Sequence, residues 1–586
     1  MTSRGTEAQE GLRMGAKTVA VPRALETMEM LNMNSVVTLR VTVSSLCWVM
    51  LLSLVMLTCS PADDDAEKVV LPWLTVRNGQ IVEANSGRTV ILRGTNIDMF
   101  YYFEPDYGHF IWNHIDEWAL DSYRAAGANH VRLCFHWMTL AESDPVRLRT
   151  ENLEKYKEIV DMCTARGMYV LLDMHVPPGN EEIDPILGQF WTDPQNTADF
   201  LEIWSLLALE FTDNPGILGY DLFNEPSPPA EEDWWDLVDQ AVLTIRAVDK
   251  RHIIVVEPPL VEYDQPFRIV EDPQILYSFH FYEPFAVTHR AADWCGDTSL
   301  PTTAEYPGSS LVDMDVLGLA APSSTITGTE PWTELWTETT VPVEAGYATI
   351  IAYAENGAVD VFFDDFSVIK NGQPVDLVNP HLSRASYFRT GLPRAWFTAI
   401  EGGYSCVWDR NTGCLEPGSL HISGSGERAL WHQYEWALLT APLIAVRPGD
   451  SLTVRAMVSS AGSSGYGAVS LAFLKPIYID YNREFLRNFV EQEVIHWLTN
   501  NNVPGHVGEF GSMARENDPS ATALIRDMAS IWNEFNLHWT LWTGRDTAAA
   551  DHFGFGIIHC PVERFPRECQ TFRQSVYTPW RESLAD

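Results

Sequence analysis

The chain has 586 residues, too long for one ordinary domain and too short for more than about four. Hydrophobic residues make up 46% and charged residues 20%, so a large core is affordable and wholesale disorder is excluded. Against 39 Lys+Arg stand 79 Asp+Glu, a net charge of −40, and that field repels nucleic acid and anionic membrane surfaces.

Residues 1–62 read as a leader. Arg40 precedes an apolar run over 41–58, followed by Cys59-Ser60-Pro61-Ala62 and three aspartates, which is the pattern of a secretory signal. The run is 18 residues long, the lower limit for a membrane span, so an uncleaved anchor is the alternative. Leu57-Thr58-Cys59 loosely resembles a lipoprotein cleavage site, which makes Cys59 a candidate lipid anchor. The expectation is a secreted, extracellular or periplasmic protein, cleaved after Ala62 or held at the cell surface by lipid. Of the nine cysteines, Cys406 with Cys414 and Cys560 with Cys569 could pair in an oxidising compartment, whereas Cys134 and Cys163 read as buried thiols.

From residue 63 to 295, short β-rich apolar runs alternate with helical stretches. Runs at 90–97, 129–135, 168–174, 217–223, 252–257 and 275–281 show little polar alternation, as parallel strands covered on both faces do. Helical spacing fills 151–166, 197–211 and 231–249, with Thr197 and Asp213-Asn214-Pro215-Gly216 as start and stop of the second. Residues 296–474 shift to Ser, Thr, Gly and Val, with strand-like runs separated by the turns Glu355-Asn356-Gly357, Lys370-Asn371-Gly372 and Arg447-Pro448-Gly449-Asp450. That stretch predicts an all-β sandwich. The earlier rhythm resumes over 475–586, with helices at 481–500 and 520–535, strands at 503–510 and 537–542, and a last helix near Thr571. Six βα units plus two make the eight of a closed barrel, so the fold class is α/β, a (β/α)8 TIM barrel with the sandwich inserted after strand six.

In such barrels the site forms at the C-terminal ends of the strands. Those ends carry Arg132 and His136-Trp137, Asp173-Met174-His175, Asn224-Glu225-Pro226, His280-Phe281-Tyr282, Glu509 and Trp542. One such carboxylate alone usually caps the next helix, and Glu257-Pro258 after strand five is read as an ending without a role. Two glutamates on strands four and seven, with an asparagine before the first, are far more specific.

This combination resembles the family 5 glycoside hydrolases, the cellulase-like retaining barrels. Arg132, His175, Asn224, Glu225, His280, Tyr282, Glu509 and Trp542 stand in that family's order, and VILRGTN (90–96), LFNEP (222–226), SFHFYEP (278–284), GEFG (508–511) and LWTG (541–544) look like its local strings. The resemblance covers about residues 73–295 and 476–575. It implies a two-step hydrolysis of a β-linked glucan, with Glu509 as nucleophile and Glu225 as acid/base. It also implies Asn224 on the 2-hydroxyl, His175 and His280 around the reacting sugar, and Trp542 as its stacking floor. Arg132 and Tyr282 should keep Glu509 ionised, while Glu225 should sit in a less polar pocket that keeps it protonated. His136 and Trp137 are added as neighbouring subsite residues, with packing at the barrel mouth as the alternative. No cofactor and no metal are called for, because the histidines lack ligand spacing. The expected partner is a polysaccharide or oligosaccharide, and the expected state a monomer.

In the insert, residues 361–366 and 449–454 resemble strands of carbohydrate-binding sandwiches in reversed order, as a circular permutation would give. Trp332, Trp336, Trp396, Trp408, Trp431 and Trp436 are candidates for a sugar platform, with core packing as the alternative. β-Mannan, β-1,3-glucan or a glycolipid head group as substrate, or a catalytically inactive sugar-binding surface protein, are the competing readings.

Overall fold

The computed structural model describes residues 70–98, 115–179, 189–259, 267–292, 303–384, 392–433, 443–546, 552–559 and 570–585, together with the backbone of two short paired strands between 103 and 110. The leader, Cys59, Trp436, Cys560 and Cys569 lie outside the described residues. Among the described residues no helix is long and apolar enough to cross a membrane.

Eight parallel strands close into a barrel in chain order: Arg93–Asp98, His130–His136, Tyr169–Val176, Ile217–Asp221, Ile253–Val256, Ile275–Phe281, Gly505–Phe510 and His538–Leu541. Tyr169–Val176 and Ile253–Val256 run largely apolar because both faces are covered, whereas Arg93–Asp98, RGTNID, is mostly polar. The ring closes where His538–Leu541 pairs with Arg93–Asp98.

The helices hold the strand ends in place. The second long helix starts at Pro194, not at the expected Thr197, because Asp193 caps it through Gln195 N at 2.9 Å and proline suits the first turn. Its Trp204 is fully buried and donates its indole N–H to Leu222 O at 3.0 Å, just before Asn224. Trp234, on Glu231–Val248, does the same to Glu257 O at 2.9 Å. A buried indole must satisfy its N–H, so each tryptophan pins one strand-end loop to one helix.

The insert sits between the sixth and seventh barrel strands. Its first strand, Gly308–Leu319, pairs antiparallel with the end of its last, Ser451–Tyr481, from Gly308↔Tyr481 to Leu319↔Ala472. Both connections to the barrel therefore run side by side as one ribbon. The expected sandwich is a single hydrogen-bonded antiparallel sheet of eight strands. The turn expected at Glu355-Asn356-Gly357 does not break the chain: Tyr347–Lys370 is one strand, with left-handed φ of 63° at Asn356 and 142° at Gly357. Such irregularities swap which face points inward. Ala348, Ile350, Ala352 and Ala354 enter the insert's core before it, and Val359, Val361 and Phe363 after it. Ser451–Tyr481 changes face likewise, from Leu452–Val458 to Val469–Phe473, around Gly462 (φ 66°). One sheet thereby supplies both walls of one apolar cluster. The Lys370-Asn371-Gly372 turn forms as expected, with both Asn371 and Gly372 at positive φ.

Three of the platform candidates belong to that cluster: Trp396 and Trp431 are fully buried, and Trp408 is buried beside them. Trp336 is 41% exposed, and Trp332, on the same strand Ile326–Thr340, is half-buried. Cys406 and Cys414 are free thiols rather than a disulfide, and Cys134 and Cys163 are buried free thiols.

Candidate active site

The mouth of the barrel is organised by one guanidinium. Arg132 is fully buried, and its nitrogens reach four carboxylates: Asp221 at 2.8 Å, Glu509 at 2.9 Å, and Asp173 and Glu257 at 3.1 Å each. It also donates to the side-chain oxygens of Asn224 at 3.0 Å and Asn96 at 3.2 Å. A planar fork with five N–H donors suits such a cluster, where a single ammonium would not. Burial works against its charge, but the surrounding carboxylates outweigh that and hold the guanidinium protonated well above its usual range.

Glu509 closes the seventh strand. One carboxylate oxygen accepts from Arg132 and the other from the Tyr282 hydroxyl at 2.8 Å, the two partners expected of it. Burial and the neighbouring Glu509 anion push the Tyr282 phenol well up, so it stays a donor. The residue before Glu509 has to be glycine: a Cβ on Gly508 would lie 2.6 Å from Ser278 Oγ and 3.0 Å from His280 Nε2.

Glu225 follows the fourth strand with φ of 47°, a left-handed conformation that costs a non-glycine residue about 1–2 kcal/mol. Its backbone N–H is held by Glu257 Oε2 at 2.9 Å, and its carboxylate accepts from His280 Nδ1 at 2.8 Å. The expected apolar pocket is therefore not there. Burial pushes the Glu225 carboxyl up, but the hydrogen bond and charge of His280 prevail and bring it below its usual value. His280 moves the opposite way, well above an ordinary histidine, because burial is outweighed by Glu257, Glu509 and Glu225 around the ring. The proton rests on the imidazole of a tightly paired His280–Glu225 couple.

Glu225, His280 and Glu509 bring one ligating atom each within 4.8 Å of one another, so the two glutamates face each other across a short gap. Cys134, Asp173 and His175 form a second trio of that spacing. Both trios are close enough to hold an ion, yet Arg132, Tyr282 and the imidazoles already occupy their carboxylates.

The other candidates divide. His175 bonds Asp173 through Nδ1 at 2.8 Å and stacks on Trp542 with centroids 5.2 Å apart and planes at 19°. Trp542 is half-buried at the mouth, after the eighth strand. Asn224 turns its amide oxygen to Arg132. Trp137, by contrast, is 7% exposed within the main barrel core, and His136 is buried, with its ring accepting Met138 N–H at the start of a short helix.

Four contributors were not among the candidates. Asn96, Asp173, Asp221 and Glu257 all reach Arg132, and Glu257, read as an ending without a role, touches three groups of the site. Asp221 is lifted well above the usual carboxylate range, by burial first and by its like-charged neighbours, against the pull of Arg132. Asp173 goes down despite burial, through Arg132 and His175.

A closed parallel barrel with two facing glutamates over a buried arginine, at the C-terminal ends of its strands, defines the class: a (β/α)8 barrel with a two-carboxylate site. Residues 85–335 match the model of the cellulase family, glycosyl hydrolase family 5. The match takes in six of the eight barrel strands and ends within the insert, so Glu509 and Trp542 owe their assignment to the fold. The chain is 28% identical over 201 residues to Endoglucanase C of Acetivibrio thermocellus, covering 33% of this chain and 58% of that protein. It thus spans little more than half of that relative. It is 22% identical over 292 residues to Cellodextrinase A of Ruminococcus flavefaciens, covering 49% and 80%. A solved glycoside hydrolase structure is similar at 15% identity over 84% of this chain and 99% of that one, with a TM-score of 0.46.

Proposed function

We propose that the chain is a retaining glycoside hydrolase that cleaves internal β-1,4 bonds of a glucan by double displacement. The carrying observation is the pair Glu225 and Glu509, with carboxylate oxygens within 4.8 Å of each other and with different partners. Retaining enzymes hold their carboxyl groups about 5–5.5 Å apart, and inverting ones leave room for a water between them.

Glu509 attacks the anomeric carbon, and the bond to the leaving oxygen breaks as that oxygen takes a proton from Glu225. The proton comes from the His280–Glu225 couple and crosses the 2.8 Å hydrogen bond as charge builds on the leaving oxygen. Glu225 then takes a proton from water, whose oxygen attacks the anomeric carbon and releases Glu509 as carboxylate. Arg132 and Tyr282 hold Glu509 in line and accept its charge when it leaves. Asn224, with its oxygen turned to Arg132, offers its amide nitrogen to the sugar 2-hydroxyl, and Trp542 offers its face to the ring. The endoglucanases among the relatives favour β-glucan as substrate.

The test is hydrolysis of carboxymethylcellulose, mixed-linkage glucan, laminarin, mannan and xyloglucan. Highest kcat/KM on the first two is expected, and higher activity on mannan or laminarin would move the substrate assignment.

The insert extends this reading. Trp336 and Trp332, on one exposed strand, support a carbohydrate-binding role for it, and the leader pattern supports export, with the protein freed by cleavage or tethered through Cys59 and expected to be a monomer. Mass spectrometry of the mature N-terminus distinguishes the two forms of export.

A further inference from the structure

Glu257 ends the fifth strand, is buried, and is read by no motif, yet it touches three groups at once. One carboxylate oxygen lies 3.1 Å from Arg132 Nη2 and 3.1 Å from His280 Nε2. The other accepts the backbone N–H of Glu225 at 2.9 Å. Its own backbone oxygen is fixed by the indole of Trp234. The His280 ring therefore has a carboxylate at each nitrogen, Glu225 at Nδ1 and Glu257 at Nε2. Nδ1 is hydrogen-bonded to Glu225 and Nε2 lies in ion-pair contact with Glu257, and a carboxylate beside each nitrogen favours the imidazolium over the neutral ring.

We propose that Glu257 is a positioning residue for proton transfer: it holds Glu225 in its left-handed conformation and keeps the ring that supplies Glu225's proton charged and aimed. The proposal rests on reading Glu225 as the acid/base. Glu257 does not touch the sugar. It acts through the backbone of Glu225, which a positive φ leaves in need of an anchor, and through His280. The charged or titratable groups facing His280 are Glu225, Glu257 and Glu509 at 3.7 Å, with Arg132 behind the two glutamates and neutral His506 beneath. Among the three anions, Glu225 and Glu509 are needed for the chemistry itself. Glu257 is the one whose charge can be removed while both reacting carboxylates stay in place.

Two measurements test this, one of which needs no activity. In protein labelled with 15N at histidine, the His280 imidazole, assigned by its loss in His280→Asn, should remain protonated through neutral pH. In Glu257→Gln it should titrate about one pH unit or more lower, because a neighbouring anion has gone. Glu257→Asp keeps the charge and should restore most of that shift, so a folding defect in one variant does not decide the matter. The second measurement compares kcat/KM on 2,4-dinitrophenyl β-cellobioside, whose leaving group needs no proton, with phenyl β-cellobioside, whose leaving group does. Glu257→Gln should lose about 10- to 100-fold more on the phenyl glycoside, and its alkaline limb should move to lower pH. Titration of His280 unchanged by Glu257→Gln, or equal losses on both glycosides, would overturn the proposal. Failure of the wild type to cleave either glycoside would sink the glycosidase reading, while the imidazole titration would still decide what Glu257 does.

Discussion

The barrel mouth and the insert bury opposite things. At the mouth, Arg132, Asp173, Asp221, Glu257 and Glu509 lie together out of water, and His280 adds a further charge. In the insert the core is a run of Val, Leu, Ile, Phe, Ala and Trp, and its ion pairs, such as Glu334–Arg455, Glu355–Arg428 and Glu344–Lys475, lie at the surface. Desolvating a charge costs several kcal/mol, so a fold does without buried ions unless something is done with them. The insert keeps its interior apolar and its ion pairs in contact with water. Single buried pairs such as Arg290–Asp518 occur elsewhere in the barrel, but only at the mouth among the described residues does one guanidinium gather four carboxylates.

The largest effect is expected at the two glutamates of the mouth. Glu509→Ala and Glu225→Ala should each lower kcat/KM on a soluble β-glucan by about 10^4-fold or more, with little change in melting temperature. Full activity in either variant would remove the site from the mouth. Next comes the guanidinium. Arg132→Met leaves Asp173, Asp221, Glu257 and Glu509 without their common cation and should cost about 3–5 kcal/mol in stability, read as a loss of denaturant midpoint. A neutral outcome would mean that the cluster is not held by charge.

A smaller effect is expected inside the insert, where Asp364 is the one buried carboxylate among the described residues. Burial lifts it from 3.8 to about 6, against the hydrogen bonds from Cys414 and Asp365 N–H. A carboxyl with a raised folded value adds stability below its unfolded value, and that contribution is lost as pH rises through about 6. Strands around 361–368 should therefore open more readily at pH 8 than at pH 4.5, by about 2–3 kcal/mol in exchange-corrected hydrogen exchange of the whole chain. Asp364→Asn should flatten that dependence. The smallest effect concerns the surface. Trp336→Ala should weaken retardation of the chain in gels containing a β-glucan by about 10-fold in affinity, the worth of one exposed indole. Unchanged retardation would leave the insert a structural wall.

Much of the architecture can be read from periodicity, because strands covered on both faces are rich in apolar residues and most of the eight runs are. Strand ends also disclose Arg132, Asn224, Glu225, His280, Tyr282, Glu509 and Trp542, which the fold brings together at one mouth. What hides is pairing across distance. Asp221 and Asp173 sit in apolar strings, ILGYD and YVLLDMHV, and their partner is 89 residues away for the first. The signal was present: a carboxylate inside a strand with no polar neighbours must meet a cation, and Arg132 is the one basic residue in the barrel's second strand, HVRLCFH. Glu257 was discounted because glutamate-proline endings are common. The lowered Glu225 was missed for a different reason, since nothing in LFNEP or SFHFYEP tells that their side chains meet at 2.8 Å. In the insert, Asn-Gly reads equally as a hairpin turn or as a bulge, and only the partner strand decides between them.

The central claim is attack by Glu509 from the face opposite the leaving oxygen, followed by attack of water from the face that the leaving oxygen vacated. Proton NMR of a mixed-linkage glucan during the first minutes of hydrolysis observes the new reducing end before it mutarotates. The β-anomer should appear first and the α-anomer only later. Initial release of the α-anomer would contradict the two-step mechanism and the roles given to both glutamates.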